Sequence, residues 1–577
     1  MDTPHLAGGI TGPAALRPLI DTTLDALSQG AAARGGPLPA GGPGVVAERL
    51  RSAVHPLLPE TGVGPQAALR TLVAALAAGS ADPADPHCTA HLHCPPLAVA
   101  AAADLAAASL NPSLDSWDQA PAASALEALT TRELARLVHL PDRTTSEDEP
   151  ETARSVGGPA APLKAVPARS VDGPATPWEA DPARSVGGPG SPFENDPARS
   201  VDGSAPALRA ACRATSAPEL TEARLTSSAG HRSTAGTTSS AGSLIPPPRR
   251  ELPPAERGPD ALVTTGGTES NQLALLLARE DGRVRRLPAP VQVVCGANAH
   301  HSVHRAAWLL GLPEPLTLPT PDGVLDPEAL DAALTPLHHP VLVVATAGTT
   351  DTGAIDPLPA LAAVADRHGA RLHVDAAYGG PLMFSRRHRG LLRGLERAHT
   401  VTLDLHKLGW QPVAAGLLTV PDAAALAPLS HRADYLNADD DTEAGLPDLL
   451  GRSLRTTRRP DIVKIAVTLK ALGRGGLADL VDRTIAAARA FADLIEDHPS
   501  FELYARPTIS TVLFRPTGAD DTAVAALRRR LLHDGRAVLG RATTASGLWL
   551  KATFLNPHVQ PGDLKSLLTL VEGTPHR

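Results

Sequence analysis

Apolar residues follow a helical period in the first part of this chain. Between residues 45 and 141 they recur three and four positions apart, which predicts helices at 67–78, 97–110 and 124–138. The stretch 97–110 is mostly alanine and is interrupted by Asp104, so it predicts a buried helix and not a membrane span. Residues 1–44 are rich in Gly, Pro and Ala, and we expect a flexible N-terminus there.

Short apolar runs alternate with helical patterns in the region 260–429. The runs predict strands at 291–295, 341–346, 371–375, 400–405 and 414–420. The helical patterns between them predict helices at 268–280, 300–310 and 358–368. Alternation of this kind predicts a mostly parallel sheet that is covered by helices.

The pattern changes again over residues 430–577. A long helix is predicted near 461–472 and another near 522–533, followed by a final helix at the C-terminus. Strands are predicted near 501–504, 511–514 and 548–554. This mixture predicts a separate, small α+β domain.

A segment of different composition separates the two patterned regions. Residues 142–259 are dominated by Pro, Gly, Ser, Thr, Ala and Arg, and they contain a 15-residue repeat with units that begin at Thr152, Pro167, Pro182 and Pro197. A repeat this short, with few large apolar residues, cannot build a packed core. We therefore expect a disordered insertion. The alternative is a docking or regulatory segment that uses the repeated Arg-Ser.

Charge and cysteine content narrow the classes of function. The formal net charge is -8, and no Lys/Arg cluster is interleaved with aromatic residues, which argues against nucleic acid as a partner. The 4 cysteines show no disulfide spacing, and the first residues lack the pattern of a signal peptide. These features predict a cytoplasmic protein without a membrane partner. Aromatic residues make up only 2% of the chain, so few rings are available for an aromatic-substrate pocket.

Four short segments place polar residues beside the ends of predicted strands. In TTGGTESN two glycines precede a helix with Thr268 as its expected N-cap, and such a helix start can bind phosphate. The segment GANAHHSVH presents His300, His301 and His304. The strand in RLHVDAAYGG ends at Asp375, and the strand in TVTLDLHK ends in a His-Lys pair. Ligands of parallel sheets bind beyond these carboxyl ends.

Each segment alone has an ordinary structural explanation, such as a glycine turn, surface histidines or a solvated lysine. Together they supply what pyridoxal phosphate requires of a protein. The cofactor needs an amine, an acid opposite the ring nitrogen, a phosphate cradle and a flat group against the ring. The combination therefore predicts a pyridoxal-phosphate site.

The motifs GGTESN, AHHSV, VATAGTTDTGAIDPL, HVDAAYGG and the final HK pair occur in one order along the chain. With these motifs, from about residue 85 to 557, the chain resembles the group II pyridoxal-phosphate decarboxylases. That family includes aromatic amino acid, glutamate and diaminobutyrate enzymes. The resemblance implies the fold-type I architecture, which is a mostly parallel seven-stranded sheet covered by helices, with a small C-terminal α+β domain and an N-terminal helical segment. It also implies a homodimer with active sites at the interface.

The resemblance also implies roles for individual residues. Lys407 would form the Schiff base with the cofactor, and Asp375 would pair with the ring nitrogen. His300 would stack on one face of the ring, with Ala377 against the other. The residues expected around the phosphate and the ring edge are Gly267, Thr268, His406 and Thr350.

The segment HCTAHLHCPPLAV resembles the part of the family that lines the substrate entrance. We therefore expect His91 and His93 in the substrate channel. The His and Cys residues of this segment lack the paired spacing of a structural zinc site, so no metal is expected. Lys551 stands where glutamate-type members carry an Arg that grips a carboxylate, and the two side chains are not equivalent in such a contact.

The stretch GLPDLLGRSLRTTRRPD lacks the loop Tyr of several aromatic amino acid decarboxylases and is more similar to diaminobutyrate-type members. The donor of the proton to Cα is then His300, or Tyr435 as a second candidate.

We expect decarboxylation of an amino acid, with 2,4-diaminobutyrate, ornithine or lysine favoured. The alternatives are an acidic or aromatic substrate, a decarboxylating aldehyde synthase, and a non-enzymatic scaffold that uses the repeats.

Overall fold

The structure is a computed structural model, and it describes residues 5–140, 257–287, 289–430, 440, 444–447 and 449–574. All of these residues belong to one unit of the chain. The insertion predicted at 142–259 lies outside them, apart from its last three residues. Within the described ranges, no helix is long and apolar enough to cross a membrane.

The described chain begins with helices and then alternates between helices and strands. Its α-helices are α1 (Gly12–Arg34), α2 (Gly42–Val54), α3 (Pro65–Gly79), α4 (Ala98–Leu110), α5 (Pro121–His139), α6 (Gly267–Val284), α7 (Ser302–Leu309), α8 (Pro327–Leu334), α9 (Leu358–Arg367), α10 (Ile462–Glu496), α11 (Asp521–His533) and α12 (Pro561–Glu572). Its strands are β1 (Asp260–Thr264), β2 (Gln292–Gly296), β3 (Leu316–Leu318), β4 (Val341–Thr346), β5 (Arg371–Ala376), β6 (Thr400–Asp404), β7 (Gly416–Val420), β8 (Phe501–Leu503), β9 (Thr511–Pro516), β10 (Gly540–Thr544) and β11 (Gly547–Thr553).

Strands β1 to β7 form one seven-stranded sheet in the order β1-β7-β6-β5-β4-β2-β3. Strand β7 runs antiparallel to both of its neighbours, and the strands from β6 to β3 are parallel to one another. Strands β4 and β6 are buried along their whole length, as expected for a parallel sheet with helices on both faces. The predicted mostly parallel, seven-stranded sheet is thereby confirmed. Its parallel strands bring the carboxyl ends of β4, β5 and β6 to the same edge.

Strands β8 to β11 form a second, antiparallel sheet in the order β10-β11-β9-β8. Its core contains Phe491 from α10, with Phe514 and Phe554 each 5.2 Å away between ring centroids in edge-on contact. The expected small α+β element is thereby confirmed. Helix α10 extends far beyond the predicted 461–472 and bends at Gly473, where φ is 63°.

The N-terminal segment differs from the expectation of a flexible terminus. Helix α1 occupies most of it and packs against α3, with Ala26 fully buried. A Cβ built on Gly30 would lie 2.6 Å from the Cβ of Ala77, so only glycine permits this close approach. The Gly and Pro content suggested flexibility, but tertiary packing decides whether such a helix forms.

A buried ion pair joins α5 to the segment before α10. The two terminal guanidinium nitrogens of Arg458, Nη1 and Nη2, each donate to one carboxylate oxygen of Glu127 at 3.0 Å, and the side chains are only 2% and 4% exposed. The backbone carbonyl of Arg458 also accepts a hydrogen bond from Leu114 N. The pair therefore fixes the chain that leads into α10.

We expect Glu127→Gln to lower the free energy of unfolding by about 3–5 kcal/mol, because Arg458 is left buried without its counter-charge. Urea unfolding followed by circular dichroism measures the change. The matched control is Glu133→Gln on the same helix, whose partner Arg136 lies 3.7 Å away on the surface, and it should change the midpoint little. An equal, small effect of both substitutions would contradict the prediction.

Candidate active site

A cavity of about 390 Å³ lies at the shared carboxyl edge of β4, β5 and β6. Thr346 from the end of β4 and Asp404 from the end of β6 both line it. All eight residues predicted to contact the cofactor are in its lining, namely Gly267, Thr268, His300, Thr350, Asp375, Ala377, His406 and Lys407. The structure thus brings together residues from five separate motifs.

The Gly-Gly turn before α6 forms one wall of the cavity. Helix α6 begins at Gly267 with Gly266 as its N-cap, so the prediction that Thr268 is the N-cap was wrong. Gly266 has φ 154° and ψ -178°, a conformation that favours glycine, and a Cβ there would lie 3.0 Å from His406 Cε1. The glycine therefore keeps the space between the first turn of α6 and His406 open.

Asp375 lies near the end of β5 and is 6% exposed. Its Oδ1 accepts a hydrogen bond from Ala377 N at 3.1 Å, and its Oδ2 accepts one from Asn271 Nδ2 at 2.7 Å. In the described part of the chain no cation forms an ion pair with this carboxylate. A buried carboxylate that lines a cavity without a counter-ion is suited to a cationic ligand group.

Asn271, one turn into α6, holds Asp375 in place and is itself fully hydrogen-bonded. Its Nδ2 also donates to Ser302 Oγ at 2.9 Å. Its Oδ1 accepts from Thr402 Oγ1 at 2.8 Å and from His373 Nε2 at 3.0 Å. Burial lowers the pKa of His373 to about 4, so this ring is neutral at physiological pH. The network fixes the carboxylate with neutral partners and leaves its charge unbalanced.

His300 is oriented through the same network. Its Nδ1 lies 2.8 Å from Ser302 Oγ and accepts a hydrogen bond from Ser302 N at 3.3 Å. Because Nδ1 is an acceptor, the proton of the neutral ring sits on Nε2. Burial lowers the pKa of His300, with Asp375 opposing that shift. The predicted helix 300–310 begins only at Ser302, so His300 lies in the turn before α7.

Lys407 and His406 follow β6 and share a carboxylate, Asp404, that was not among the predicted site residues. Asp404 Oδ2 lies 3.0 Å from Lys407 Nζ and 3.5 Å from His406 Nε2. Asp404 is 2% exposed, whereas the Lys407 side chain is 19% exposed and faces the cavity. Burial lowers the pKa of His406, while Asp404 acts in the opposite direction. Asp404 therefore positions the amine that is available to a ligand.

These groups fit pyridoxal phosphate. The unpaired carboxylate of Asp375 suits a protonated ring nitrogen, and Lys407 offers a primary amine in the same cavity. The open cradle between Gly266, the start of α6 and His406 suits the phosphate, because helix N-termini present free N–H groups. The acid, the amine and the phosphate cradle that the cofactor needs are therefore found at one cavity.

The predicted substrate residues His91, His93 and Lys551 are not among the described residues that line the cavity, but each is next to a residue that does. His91 and His93 are exposed on either side of Leu92, which does line it. Lys551 is 8% exposed, and its Nζ donates to Thr350 O at 3.1 Å. Tyr435 lies outside the described residues. Among the residues that the structure describes, no group of three His, Cys, Asp or Glu could hold a metal ion.

Asp404, Asn271 and Tyr378 are site residues that sequence reasoning missed. Asp404 had a usable signal, since it lies next to the end of the predicted strand 400–405, three residues before Lys407. Asn271 also had one, because it lies four residues after Gly267 and so faces the same side of the helix. Tyr378 lines the cavity, and its hydroxyl is hydrogen-bonded to Ser510 and to Thr511, the first residue of β9 in the second sheet. No local pattern indicated that contact.

The family and the relatives that match agree with this geometry. Residues 244–517 match the family described as pyridoxal-dependent decarboxylase conserved domain. The chain is 40% identical over 336 residues to L-2,4-diaminobutyrate decarboxylase of Rhizobium meliloti (strain 1021), covering 56% of this chain and 67% of the relative. It is 32% identical over 346 residues to the enzyme of the same name from Acinetobacter baumannii, covering 54% of this chain and 68% of the relative.

A solved structure is similar over nearly the whole chain. It is the glutamate decarboxylase domain of diaminobutyrate-pyruvate transaminase and L-2,4-diaminobutyrate decarboxylase from Vibrio parahaemolyticus. The TM-score is 0.68 at 26% sequence identity, and the match covers 98% of this chain and 96% of that one.

Proposed function

We propose that this chain, which belongs to the pyridoxal-dependent decarboxylase family and is a pyridoxal-phosphate-dependent amino acid decarboxylase, acts on a diamino acid such as 2,4-diaminobutyrate. As a carboxy-lyase it converts an amino acid into CO2 and an amine. The observation that carries the assignment of the site is the gathering of Lys407, Asp375 and His300 on one cavity. The choice of substrate is supported by the two relatives named for 2,4-diaminobutyrate.

Lys407 would hold the cofactor through its amine, and Asp404 would orient that amine. Asp375 would keep a proton on the ring nitrogen, because a buried carboxylate without a counter-ion favours a cation beside it. Gly267, Thr268 and His406 would hold the phosphate at the start of α6. His300, Ala377 and Thr350 would border the ring.

When bound, pyridoxal phosphate supplies an electron sink for the electron pair that CO2 leaves at Cα. Loss of CO2 requires that a proton then reaches Cα. His300 is the group we propose for this transfer, because Ser302 fixes its Nδ1 and so orients the ring. The donor would be the protonated, cationic ring acting through Nε2, since a neutral imidazole N–H is too weak an acid. Its lowered pKa makes its conjugate acid a readier proton donor.

The remaining expectations from the sequence stay predictions. They are the homodimer with active sites at the interface, the cytoplasmic location, the substrate-channel roles of His91 and His93, and the limits of the segments 1–44, 45–141, 142–259, 260–429 and 430–577. An acidic amino acid is the second candidate substrate, because the Lys551 ammonium lies beside Thr350 at the cavity and would attract a distal carboxylate.

We expect the purified protein, supplied with pyridoxal phosphate, to release CO2 fastest from 2,4-diaminobutyrate in a panel with ornithine, lysine, glutamate, aspartate and an aromatic amino acid. One methylene of mismatch changes selectivity by roughly 10–200-fold, so the panel should rank substrates clearly. Oxygen uptake and ammonia release are measured in parallel. Faster release from an acidic amino acid would contradict the diamino acid proposal, and oxygen consumption with ammonia would indicate an aldehyde synthase.

A further inference from the structure

The loop after β4 is a tight turn whose tip reaches the cavity. Thr349 is buried, and its Oγ1 lies 2.8 Å from Thr352 Oγ1 and accepts a hydrogen bond from Ala354 N at 3.0 Å. Gly348 N donates to Ala354 O across the turn. These bonds fix the tip, where Thr350 lines the cavity and Asp351 follows with a side chain that is 58% exposed.

Lys551 reaches this tip from the second sheet. It lies in β11 opposite Gly540 of β10, and its side chain is only 10% exposed. A Cβ on Gly540 would lie 2.9 Å from Lys551 Cε, so glycine makes room for the lysine. The Lys551 side chain extends to the tip of the loop, where its Nζ lies 3.1 Å from Thr350 O and 3.3 Å from Asp351 Oδ1.

Lys551 and Asp351 differ in how much of each side chain is exposed to solvent. The Lys551 ammonium is enclosed and donates to the loop, whereas most of the Asp351 side chain is open to solvent. A carboxylate offers about four lone-pair sites, so Asp351 can accept from Lys551 and from a second cation at the same time. Partial desolvation lowers the pKa of His91, with the Lys551 charge as the next cause, so the neutral form of His91 is favoured beside Lys551.

We propose that Asp351 sets the charge preference of the substrate site: it neutralises Lys551 and gives the distal ammonium of a diamino acid an anionic partner. The inference rests on the proposed function, in which the cavity takes the amino acid. Without Asp351, Lys551 would present an uncompensated positive charge beside Thr350, which repels a basic side chain and attracts an acidic one. Asp351 is thus a specificity-determining residue that acts through charge.

The test compares the holoenzyme with Asp351→Asn for three amino acids of four carbons, which are 2,4-diaminobutyrate, aspartate and 2-aminobutyrate. Both kcat/KM for CO2 release and the apparent Kd from titration of the cofactor's visible absorbance are measured. Asp351→Asn should lower the ratio of diaminobutyrate to aspartate at least tenfold, mainly through KM and Kd. Asp351→Glu should restore part of it. Glu314→Gln, an exposed acid before the edge strand β3, is the matched control and should leave the ratio unchanged.

The outcomes separate the two proposals. If the wild type prefers diaminobutyrate and Asp351→Asn leaves the ratio unchanged, the role of Asp351 is overturned and the proposed function stands. An equal loss for all three amino acids also overturns it, because that indicates a positioning effect and not charge selection. If the wild type prefers aspartate, the diamino acid proposal fails. A shift of the Kd ratio in Asp351→Asn would then still support charge selection by Asp351.

Discussion

Replacing Lys407 with Ala will abolish CO2 release and the visible absorbance of the bound cofactor. The substitution removes the amine that Asp404 holds 3.0 Å away at the cavity. Alanine has neither a nucleophile for covalent attachment nor a proton to exchange, so we expect kcat to fall by more than about 10⁴-fold, the upper end of what one acid–base group supplies.

Borohydride reduction followed by peptide mass analysis provides a second measurement. In the wild type it should leave the cofactor covalently attached to the peptide that contains Lys407. Lys470→Ala, which removes an exposed lysine of α10, is the control and should retain both absorbance and turnover. A covalent adduct in Lys407→Ala, with turnover intact, would show that another lysine holds the cofactor.

The parallel sheet, and the fact that the predicted cofactor residues meet at one cavity, could be predicted because both depend on local patterns. Strand β4 coincides with the predicted 341–346, and β5 and β6 each differ from prediction by one residue. Once those strands are parallel, their carboxyl ends must share an edge, which brings Asp375 and Lys407 together. The parallel arrangement of β5 and β6 therefore places the motifs that contain Asp375 and Lys407 at one site.

Contacts between distant parts of the chain could not be predicted in this way. Asn271 and Asp375 are 104 residues apart, and Lys551 is 200 residues from Asp351. No periodicity links such positions, since the pairing arises from the packing of whole elements. Helix α1 was missed for the same reason, because the close approach of Gly30 to Ala77 of α3 is a contact between elements that no local pattern shows.

Asp375→Asn will lower kcat by roughly 10²–10³-fold, the loss typical of one preorganised electrostatic group, while the cofactor stays attached to Lys407. The amide has no charge with which to keep a proton on the ring nitrogen. Retained absorbance after this substitution, with little CO2 release, distinguishes it from the Lys407 variant. Stopped-flow measurement of CO2 release and a visible spectrum together check the prediction.

The asparagine would also face Asn271 amide to amide, which disturbs the network apart from its effect on charge. The double variant Asn271→Asp with Asp375→Asn separates the two effects. The amide at position 375 can donate to the new carboxylate at position 271. Thermal stability should therefore recover in part, because the carboxylate cannot replace the donation to Ser302 Oγ, while the charge is moved away from the cavity lining. If turnover recovers together with stability, Asp375 acts through packing. If only stability recovers, the negative charge at position 375 is what the reaction requires.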